Sequence, residues 1–497
     1  MSYQLFKEKM TQIADLQGAL ALMSWDQETY MPKGGAEIRS QQRSTLAALR
    51  HQLATDKALG TLMKDLISAN NLSELELKNV TLAYEDYQER IIFPESFVIK
   101  ESQAISRAFT AWSTARAKND FSIFEPALQT IVDLRKEEIA LRGVQTTPYD
   151  TLLDQYDKGL NVKDLDTLFT KVKSQLVPYI KDLKTKYQAD DSVLKQFYPK
   201  DKQWNFGIKI LESMGYDFNH GRQDIAAHPF STSFAATDSR ITTRIDEHDM
   251  SNMLFSCIHE GGHALYEQGL PIEQYGLPLG DAISLSVHES QSRLWENNVG
   301  KSKEFWHAHY RALQEVFPEN LATVSFDNFY RAINKVSPNL VRTEADEMHY
   351  HLHVLVRYEI EKDLFNGTLE VKDLKEAWNS KYKEYLGVEV PDDKQGILQD
   401  VHWSHGSFGY FPTYSLGSFL AAQLFHFAAL AIPNLKEEIS KGNTEVLKNW
   451  LRINIHSKGR LYTTNEISKM VTGETLNFDY FFKYITHKFD NMVAENL

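Results

Sequence analysis

The sequence predicts a mainly α-helical protein with one small β-structured segment. Amphipathic patterns of helical period fill almost all of residues 1–190. The most hydrophobic segment, Leu416–Ile432, is interrupted by Gln423 and His426 and falls short of a membrane span, so it predicts a buried helix. Only Phe234–Ile245, in which Thr and Ile alternate with polar residues, is typical of a strand. These observations place the chain in the helical class.

Six segments carry the N-terminal helical pattern. Each keeps apolar residues three and four positions apart over several turns, which is the spacing of one helix face. No Gly/Ser-rich or Pro-rich linker interrupts the 497 residues, so we expect one domain although the length alone would allow more. The six segments are Tyr3–Met23, Gly35–Ala54, Glu74–Glu89, Glu95–Lys118, Pro126–Arg142 and Val162–Tyr187.

Composition and charge narrow the class of partners and the compartment. The net charge of -13 and the isoelectric point near 5.7 disfavour nucleic acid and anionic membrane surfaces as partners. The single cysteine, Cys257, excludes an intramolecular disulfide and a cysteine-based structural zinc site, and it is expected to be buried. Glu8 and Asp15 precede the first short apolar run, which is not typical of a secretory signal. We therefore expect a cytoplasmic protein.

The segment His259–His263, which reads HEGGH, predicts a metal site on a helix. Two histidines four residues apart share one helix face and can bind one ion, and Glu260 is then placed to act on water there. Gly269 and Pro271 predict the end of this helix. Two consecutive glycines cost a helix about 1 kcal/mol each relative to alanine, which predicts that substrate or a neighbouring backbone comes close at this point. An apolar stripe predicts the buried face: Met250, Leu254, Cys257, Ile258 and Leu265.

A catalytic site of this type needs a third protein ligand and one open coordination position. Glu289 fits the third ligand, since it lies downstream in a helical segment that is otherwise apolar or small. We expect Asp281 to cap that helix and the helical period to continue to Gly300. The alternative is a surface glutamate paired with Arg293. His288 points about 100° away from its neighbour, so we expect a supporting or packing role for it.

Two neighbouring features bear on this site. The strand predicted over Phe234–Ile245 ends just before the histidine helix, where it can offer its edge to an extended peptide. His349, His351 and His353 suggest a second metal site by their spacing, but no third ligand accompanies them. We interpret these three histidines as structural.

A hydrogen-bonding and aromatic segment precedes the long apolar helix. Gly396–Trp403 contains Gln399, Asp400 and His402, and a loop rich in glycine and tyrosine follows it. Phenols in such a loop can donate hydrogen bonds to a developing oxyanion. The alternative is an aromatic surface loop. The two tyrosines of interest are Tyr410 and Tyr414.

With these segments, the chain resembles the carboxypeptidase Taq family of thermostable metallocarboxypeptidases. Six motifs of that family occur in order and without a departure, which makes the match specific. The region from Trp25 to Arg39 also resembles the N-terminal part of the family, so the likeness covers the whole chain. The six motifs are His228–Phe230, Asp238–Thr242, His259–His263, His288–Gln291, Val341–Asp346 and Gly396–Trp403.

The resemblance implies a mainly helical, elongated body with a deep substrate groove and a small β-sheet beside the metal helix, similar to neurolysin and angiotensin-converting enzyme. It implies a single catalytic domain over 1–497, in which residues 1–200 form a helical part covering the groove and residues 201–497 carry the metal site. It also implies peptide substrates, one Zn²⁺ or Co²⁺ ion per chain and, commonly, a homodimer.

The resemblance also implies roles for individual residues. The metal ligands would be His259, His263 and Glu289, and Glu260 would be the general base. Substrate binding falls to Arg342, with Asp238 and Arg240 of the second motif as further candidates. The residues implied to support the tetrahedral intermediate are His228, His402, Tyr410 and Tyr414.

These residues predict a metallocarboxypeptidase of broad specificity. Glu260 would take a proton from the attacking water and pass it to the leaving amine, while a phenol or imidazolium helps to stabilise the oxyanion. A cation must also bind the free C-terminal carboxylate; Arg342 is the first choice, followed by Arg240 and Arg244, and the alternative for Arg342 is an ion pair with Asp346. The alternative enzyme is an oligoendopeptidase or peptidyl-dipeptidase. A peptide-binding scaffold with a structural metal is the non-enzyme alternative, and Glu260 argues against it.

Overall fold

The structure is a computed structural model that describes residues 2–69 and 71–495. It is mainly helical, as predicted, with one small sheet. All six N-terminal segments predicted to be helical are helices, and the long apolar segment near the C-terminus is one as well. The helices found in the described residues are α1 (Tyr3–Thr29), α2 (Ala36–Ala54), α3 (Lys57–Ser68), α4 (Glu74–Ile91), α5 (Glu95–Lys118), α6 (Glu125–Arg142), α7 (Pro148–Leu153), α8 (Val162–Lys186), α9 (Lys200–Met214), α10 (Met250–Glu267), α11 (Leu285–Arg293), α12 (Lys303–Val316), α13 (Pro318–Leu321), α14 (Phe326–Ile333), α15 (His349–Asn366), α16 (Leu374–Leu386), α17 (Pro412–Ala431), α18 (Leu435–Ser440), α19 (Glu445–Asn454), α20 (Thr464–Thr472) and α21 (Phe478–Ala494).

The sheet has three strands, β1 (Gln223–Ile225), β2 (Ser231–Ala235) and β3 (Asp238–Thr243), in the order β1-β3-β2. β1 runs parallel to the central β3, and β2 runs antiparallel to it with an irregularity between Ser233 and Ala235. β2 is therefore an edge strand, whose outer backbone groups have no ladder partner in the described sheet.

The strand prediction over Phe234–Ile245 was wrong in detail. That segment contains the end of β2, a turn at residues 236–237 and β3, so the chain reverses direction inside it. The turn lacks the Gly, Pro or Asn that usually marks such a reversal, and the alternating pattern continued across it. The three-residue β1 is too short to give a periodic signal.

The chain forms two compact units, and each is assembled from separated segments of sequence. The first consists of residues 1–91, 190–333 and 420–476, and the second of residues 92–189, 334–419 and 477–497. The single-domain assignment over 1–497, with its parts 1–200 and 201–497, stays a prediction.

In the first unit, α10 is the central element. It packs against α9, α11 and the strands β2 and β3. The N-terminal helices α1, α3 and α4 form a further apolar cluster in this unit, built around Phe6, Met63 and Val80. Contacts with two helices and the sheet thus fix the position of α10.

In the second unit, α15 is the central helix. It packs against α16, α7 and α8, and almost all of its residues are buried. α21 packs on α8 in the same unit.

α17 has the length and apolar composition of a membrane span, and 61% of its most apolar window is buried inside the protein.

Candidate metal and substrate site

The helix α10 forms as its sequence predicts and places His259, Glu260 and His263 on it. Asp249 caps the helix, since its carboxylate accepts a hydrogen bond from the Ser251 N–H at 3.1 Å. All five residues of the predicted apolar stripe are buried, including the single cysteine. The helix ends two residues before Gly269, as expected.

The second glycine of the motif allows α11 to come close to α10. A Cβ on Gly262 would lie 2.7 Å from Ser292 Cα and 2.8 Å from the Gln291 carbonyl oxygen. The predicted close approach is therefore that of a neighbouring backbone. A Cβ on Gly261 would instead meet the ends of two side chains, Leu211 Cδ2 at 2.6 Å and Met214 Cε at 3.2 Å.

The helix that carries Glu289 begins later than predicted. Ser284, whose hydroxyl accepts a hydrogen bond from the Val287 N–H at 3.1 Å, caps α11 at Leu285. The Asp281 cap was wrong because residues 281–283 are not helical. The helical path does continue to Gly300, through a wider π-type turn over Leu294–Val299. Such turns often accompany functional sites, because they redirect the side chains that follow.

Three side chains of α10 and α11 surround a common point. His259, His263 and Glu289 each present one ligand atom, and these atoms lie within 4.8 Å of one another. Glu289 Oε2 lies 3.4 Å from His263 Nε2 and 3.7 Å from His259 Nε2. Among the residues that the structure describes, these three side chains form the group of histidine and acidic side chains that could hold a metal ion.

The hydrogen bonds behind the two histidines fix their tautomers. His259 Nδ1 donates to Glu296 Oε2 at 2.8 Å, which leaves the lone pair of Nε2 free to bind a metal. If His263 Nε2 is also a lone pair, its Nδ1–H must donate to His288 Nδ1, 2.6 Å away. His288 then carries its proton on Nε2 and donates it to Glu267 Oε1 at 2.7 Å. The whole chain is satisfied by one proton arrangement, which has both Nε2 atoms ready for an ion.

The second oxygen of Glu289 is held from outside the site. Arg293 Nε donates to Oε1 at 2.7 Å, so the pairing with Arg293 is found, but Glu289 is buried and is not the surface residue of that alternative. Burial would raise the pKa of the Glu289 carboxyl, but Arg293 and His259 hold it well below its usual range. Burial lowers the pKa of His263 to about 3, which keeps the ring neutral. The pKa of His259 is raised, because Glu289 and Glu296 outweigh the effect of burial, so a metal ion would displace a proton from that ring. An ionised carboxylate and imidazole nitrogens are the donors that a divalent ion of this kind requires, so these residues fit the metal.

Glu260 is buried beside these ligands and is 7% exposed. Burial raises the pKa of its carboxyl to about 7, and His259 and a hydrogen bond from Ser231 partly offset that rise. Ser231 begins the edge strand β2, so Glu260 contacts the outer strand of the sheet. The strand that ends just before α10, for which a peptide-binding edge was predicted, is instead the central β3 and is paired on both sides.

A cavity of about 360 Å³ in the first unit adjoins this strand. Phe234 and Ala235 of β2 line it, together with Glu267, the last residue of α10. The cavity also exposes Arg50 and Arg90 of the N-terminal helices. It provides room for side chains of an extended chain bound along β2.

The remaining predicted residues of the first unit lie around the sheet. His228 is exposed on the loop between β1 and β2. Arg240 binds Asp238 through a two-point ion pair, with both contacts at 2.8 Å, and stacks on the Trp25 ring at 4.5 Å. Arg244 is exposed and contacts the Asn252 side chain at 3.1 Å.

In the second unit, two of the predicted motifs fold together around Arg342. This arginine is 5% exposed, and it donates to Asp400 Oδ1 from Nε and Nη2 at 3.1 and 2.9 Å. Its Nη1 donates to the Tyr350 hydroxyl at 2.9 Å, and its backbone N–H donates to the Gln399 side chain at 2.9 Å. The alternative partner Asp346 was wrong, because that carboxylate binds His349 instead.

His402, Tyr410 and Tyr414 form a cluster in the same unit. His402 Nε2 lies 3.1 Å from the Tyr414 hydroxyl, and the His402 and Tyr410 ring centres lie 5.3 Å apart. Burial lowers the pKa of His402 to about 3, so this ring is a neutral imidazole near pH 7 and not the imidazolium considered from sequence. The aromatic loop is therefore an organised group of donors.

The histidines of α15 do not form a second metal site in the described part of the chain. Each binds a different partner inside the second unit: His349 contacts Asp346, His351 contacts the Ser415 hydroxyl, and His353 contacts the Tyr382 hydroxyl. The structural interpretation of these residues is confirmed.

Sequence reasoning missed the carboxylates that hold the two histidine ligands. Glu296 follows Glu289 by seven residues, and Glu267 follows His263 by four. Both spacings return to the same face of a helix, so the period itself carried a signal for them. The contact of Arg342 with Asp400 joins residues far apart in sequence, and no local pattern predicts it.

Comparison with known proteins agrees with this geometry. The sequence model of the carboxypeptidase Taq (M32) metallopeptidase family matches residues 5–489. The chain belongs to this family. It is a metallocarboxypeptidase, a peptide hydrolase.

Individual members of the family match over nearly the whole chain. Thermostable carboxypeptidase 1 of Thermus thermophilus is 40% identical, and carboxypeptidase 1 of Bacillus subtilis is 39% identical, each over 98% of both chains. The crystal structure of the M32 carboxypeptidase from Deinococcus radiodurans R1 superposes with a TM-score of 0.97 at 38% identity and covers 99% of both chains.

Proposed function

We propose that this metallocarboxypeptidase releases single amino acids from the C-terminus of peptides with broad specificity. The observation that carries the proposal is the convergence of His259, His263 and Glu289, with the buried Glu260 beside them. A structural metal site has no use for a buried base, whereas a hydrolytic site requires one.

Zn²⁺ is the proposed resident ion, with Co²⁺ as the alternative, and His259, His263 and Glu289 would hold it. A bound ion supplies Lewis acidity, which polarises a carbonyl and makes water a stronger acid. The protein's own contribution is to keep both imidazoles in one tautomer through Glu296 and His288, and to hold the outer oxygen of Glu289.

Glu260 is the proposed general base. Its carboxylate accepts a proton from the attacking water and later delivers that proton to the leaving amine nitrogen. A pKa raised towards 7 by burial suits both steps near neutral pH, because the group can take up and release a proton at similar cost. The contact with Ser231 orients the carboxyl towards the peptide-binding edge of β2.

A peptide substrate would bind in extended form along β2, with side chains directed to the adjoining cavity. The unpaired edge of β2 supports this proposal, since main-chain hydrogen bonds bind a peptide without reading its side chains. Broad specificity follows from that mode of binding. His402, Tyr410 and Tyr414 are proposed to donate to the oxyanion, which the family resemblance and their mutual contacts support.

The C-terminal carboxylate requires a cation, and Arg342 remains the proposed residue. Three of its five N–H groups are used by Asp400 and Tyr350, so its fork is fixed in place and retains two donors. Arg240 and Arg244 are the alternatives. Arg240 is engaged by Asp238 on one edge, and Arg244 has no carboxylate partner in the residues described.

Peptides with free and amidated C-termini test this function. Amidation removes a charge-assisted contact, so kcat/KM should fall by about 30- to 1000-fold, which corresponds to about 2–4 kcal/mol. Arg342→Ala should lose a similar factor on free peptides and almost nothing further on amides, because both changes delete one interaction. Arg311→Ala, which removes an exposed arginine paired with Glu315, is the control and should behave as wild type.

The outcomes separate the alternatives. Equal cleavage of free and amidated peptides, with internal or dipeptide products by mass spectrometry, would favour an oligoendopeptidase or peptidyl-dipeptidase. Poor cleavage of amides with a silent Arg342→Ala would move the role to Arg240 or Arg244. A chelator should abolish activity and Zn²⁺ or Co²⁺ should restore it at one ion per chain; an ion bound by His349 and His353 instead would contradict the site.

The homodimer, the cytoplasmic location and the likeness to neurolysin and angiotensin-converting enzyme stay predictions. Light scattering of the purified protein measures the first of these directly.

A further inference from the structure

A buried glutamate that the proposed reaction does not use binds both ends of the aromatic loop. Glu361 lies on α15 and is fully shielded from solvent. Trp403 Nε1 donates to its Oε1 at 2.7 Å. The Tyr149 hydroxyl and the Gly409 backbone N–H donate to its Oε2, at 2.6 and 2.8 Å. No lysine or arginine forms an ion pair with this carboxylate in the part of the chain that is described.

Two of these donors flank the candidate catalytic side chains. Trp403 follows His402 directly, and Gly409 directly precedes Tyr410. The Glu361 carboxylate therefore holds the loop next to His402 and next to Tyr410. If either hydrogen bond broke, the backbone at one end of the loop would lose its buried anchor.

The same loop is pressed against α7. Gly409 has a φ of +90°, and a Cβ there would lie 2.9 Å from the carbonyl carbon and oxygen of Leu152. Tyr149, the third donor to Glu361, lies on the same short helix. The loop, α7 and α15 thus meet at this single carboxylate.

The donor set matches an ionised carboxylate. An indole N–H and a backbone N–H can only donate, so a group that presents its own hydrogens to them cannot satisfy them. Burial raises the pKa of Glu361 to about 7, and the three hydrogen bonds and the nearby charge of Arg357 only partly offset that rise. A fold selected for stability alone would not need such a charge, since an apolar side chain could fill this position at lower cost.

We propose that Glu361 is a positioning residue that fixes the orientation of His402 and Tyr410 for the transition state. The inference rests on the proposed function, in which these side chains donate to the developing oxyanion. Glu361 acts through the loop and contacts no substrate. Substitution of Glu361 should therefore slow the chemical step and have little effect on the binding of substrate.

Glu361→Gln tests this role, because it keeps the shape and replaces one acceptor oxygen by an NH₂ group that faces a donor. We expect kcat to fall by about 10- to 100-fold with KM within about 2-fold. The inhibition constant of a phosphonate peptide, which mimics the tetrahedral intermediate, should rise by the same factor as kcat/KM falls. Bound metal, measured by atomic absorption, should stay at the wild-type ratio.

Glu347→Gln is the matched control. Glu347 is another buried carboxylate of the second unit, but it binds Lys488 and Tyr484 and makes none of the loop contacts. It should lose stability while kcat stays at the wild-type value. If Glu361→Gln does not fold, Trp403→Phe removes a single donor and should give a smaller fall in kcat with the same unchanged KM.

Variants of the loop side chains separate this inference from the proposed function. If Tyr410→Phe and His402→Gln lower kcat but a folded Glu361→Gln does not, the positioning role is overturned and the proposed function stands. If Tyr410→Phe and His402→Gln are both silent, the oxyanion role fails and the positioning role fails with it. If all three lower kcat, the double variant Glu361→Gln with Tyr410→Phe should show less than the product of the single effects, and a full product would overturn the inference.

Discussion

At the scale of single residues, the chemistry depends on which groups are protonated and where. Glu260 is the residue whose charge can be removed without touching a ligand. It is flanked by His259 but points to Ser231, so a neutral amide at this position leaves the three ligand atoms unchanged.

Glu260→Gln should therefore keep the metal and lose activity. We expect a fall in kcat of about three orders of magnitude or more, since the base for the attacking water is gone while the metal ligands remain. Metal content and kcat are measured on the same preparation. Glu273→Gln, which changes an exposed glutamate that follows α10, serves as the control. Near-normal turnover in a metal-loaded Glu260→Gln enzyme would remove this residue from the mechanism.

The chain from His263 through His288 to Glu267 makes a separate prediction. His288→Phe removes the acceptor of the hydrogen bond from His263 Nδ1, so the ligand ring loses its fixed orientation. The dissociation constant for Zn²⁺ should rise by about 10- to 100-fold. Competition with a chromophoric chelator measures it without recourse to activity. Glu296→Gln, which alters the support of His259, should weaken binding by a comparable factor. Unchanged affinity in both variants would show that the outer hydrogen bonds do not set the tautomers.

At the residue level, the convergence of side chains could be predicted where the signal was local. His259, His263 and Glu289 could be chosen because helix spacing and the need for a third carboxylate limit the options. The neutral state of His402 could not be predicted, since it follows from burial by residues remote in sequence. The same is true of the partner of Arg342, which sequence reasoning sought one turn away and the fold supplies as Asp400.

At the scale of elements, the site depends on how closely α10 and α11 pack. Gly262 faces the backbone of Ser292 and Gln291, which cannot move aside as a side chain could. The distance between these two helices sets the distance from Glu289 to both histidines. Gly262 therefore affects the geometry of the metal site although it is not a ligand.

Gly262→Ala should force the two helices apart. We expect the free energy of unfolding to fall by about 1–3 kcal/mol, because overpacking against backbone is relieved only by a helix shift. The dissociation constant for Zn²⁺ should increase for the same reason. Gly261→Ala is the matched control. Its Cβ meets the movable Leu211 side chain, and alanine gains about 1 kcal/mol of helix propensity over glycine, so its effect should be smaller. Urea unfolding and chelator competition measure both variants, and equal effects would contradict the argument.

Element prediction failed at boundaries. The start of α11 was assigned to Asp281 because a capping residue stood there, whereas Ser284 makes the cap. The alternating pattern predicts one strand in place of the hairpin of β2 and β3, because the turn between them has no typical turn residue. In both cases the type of element was predictable from its period, while its ends depend on contacts that the period does not encode.

At the scale of the whole molecule, the two units are interleaved in sequence, and no Gly/Ser-rich or Pro-rich linker marks the boundaries between them. The first unit gathers three separated segments, and Leu420 begins its last segment within α17. A composition scan detects domains by their linkers, so it could not detect this division. The mainly helical class was predictable because it depends only on the local period.

Stability of the whole fold should depend on pH through His309, which is partly shielded from solvent. His309 on α12 contacts the Phe305 ring and lies 3.5 Å from the Ser213 hydroxyl. Burial lowers the pKa of His309 from 6.5 to about 4. Between these values the unfolded chain binds a proton that the folded chain does not bind. The stability that this residue contributes is therefore present above about pH 6.5 and is lost as the pH falls towards 4.

His309→Gln tests the sign of this effect. Wild-type protein should lose roughly 2 kcal/mol more unfolding free energy between pH 7 and pH 5 than the variant loses, because one proton uptake per molecule has been removed. Urea unfolding of both proteins across this range, with saturating Zn²⁺ so that metal binding is common to both, measures the difference. A variant that keeps the wild-type slope would show that His309 takes up no proton on unfolding, and a steeper slope would show that the folded ring is the charged one.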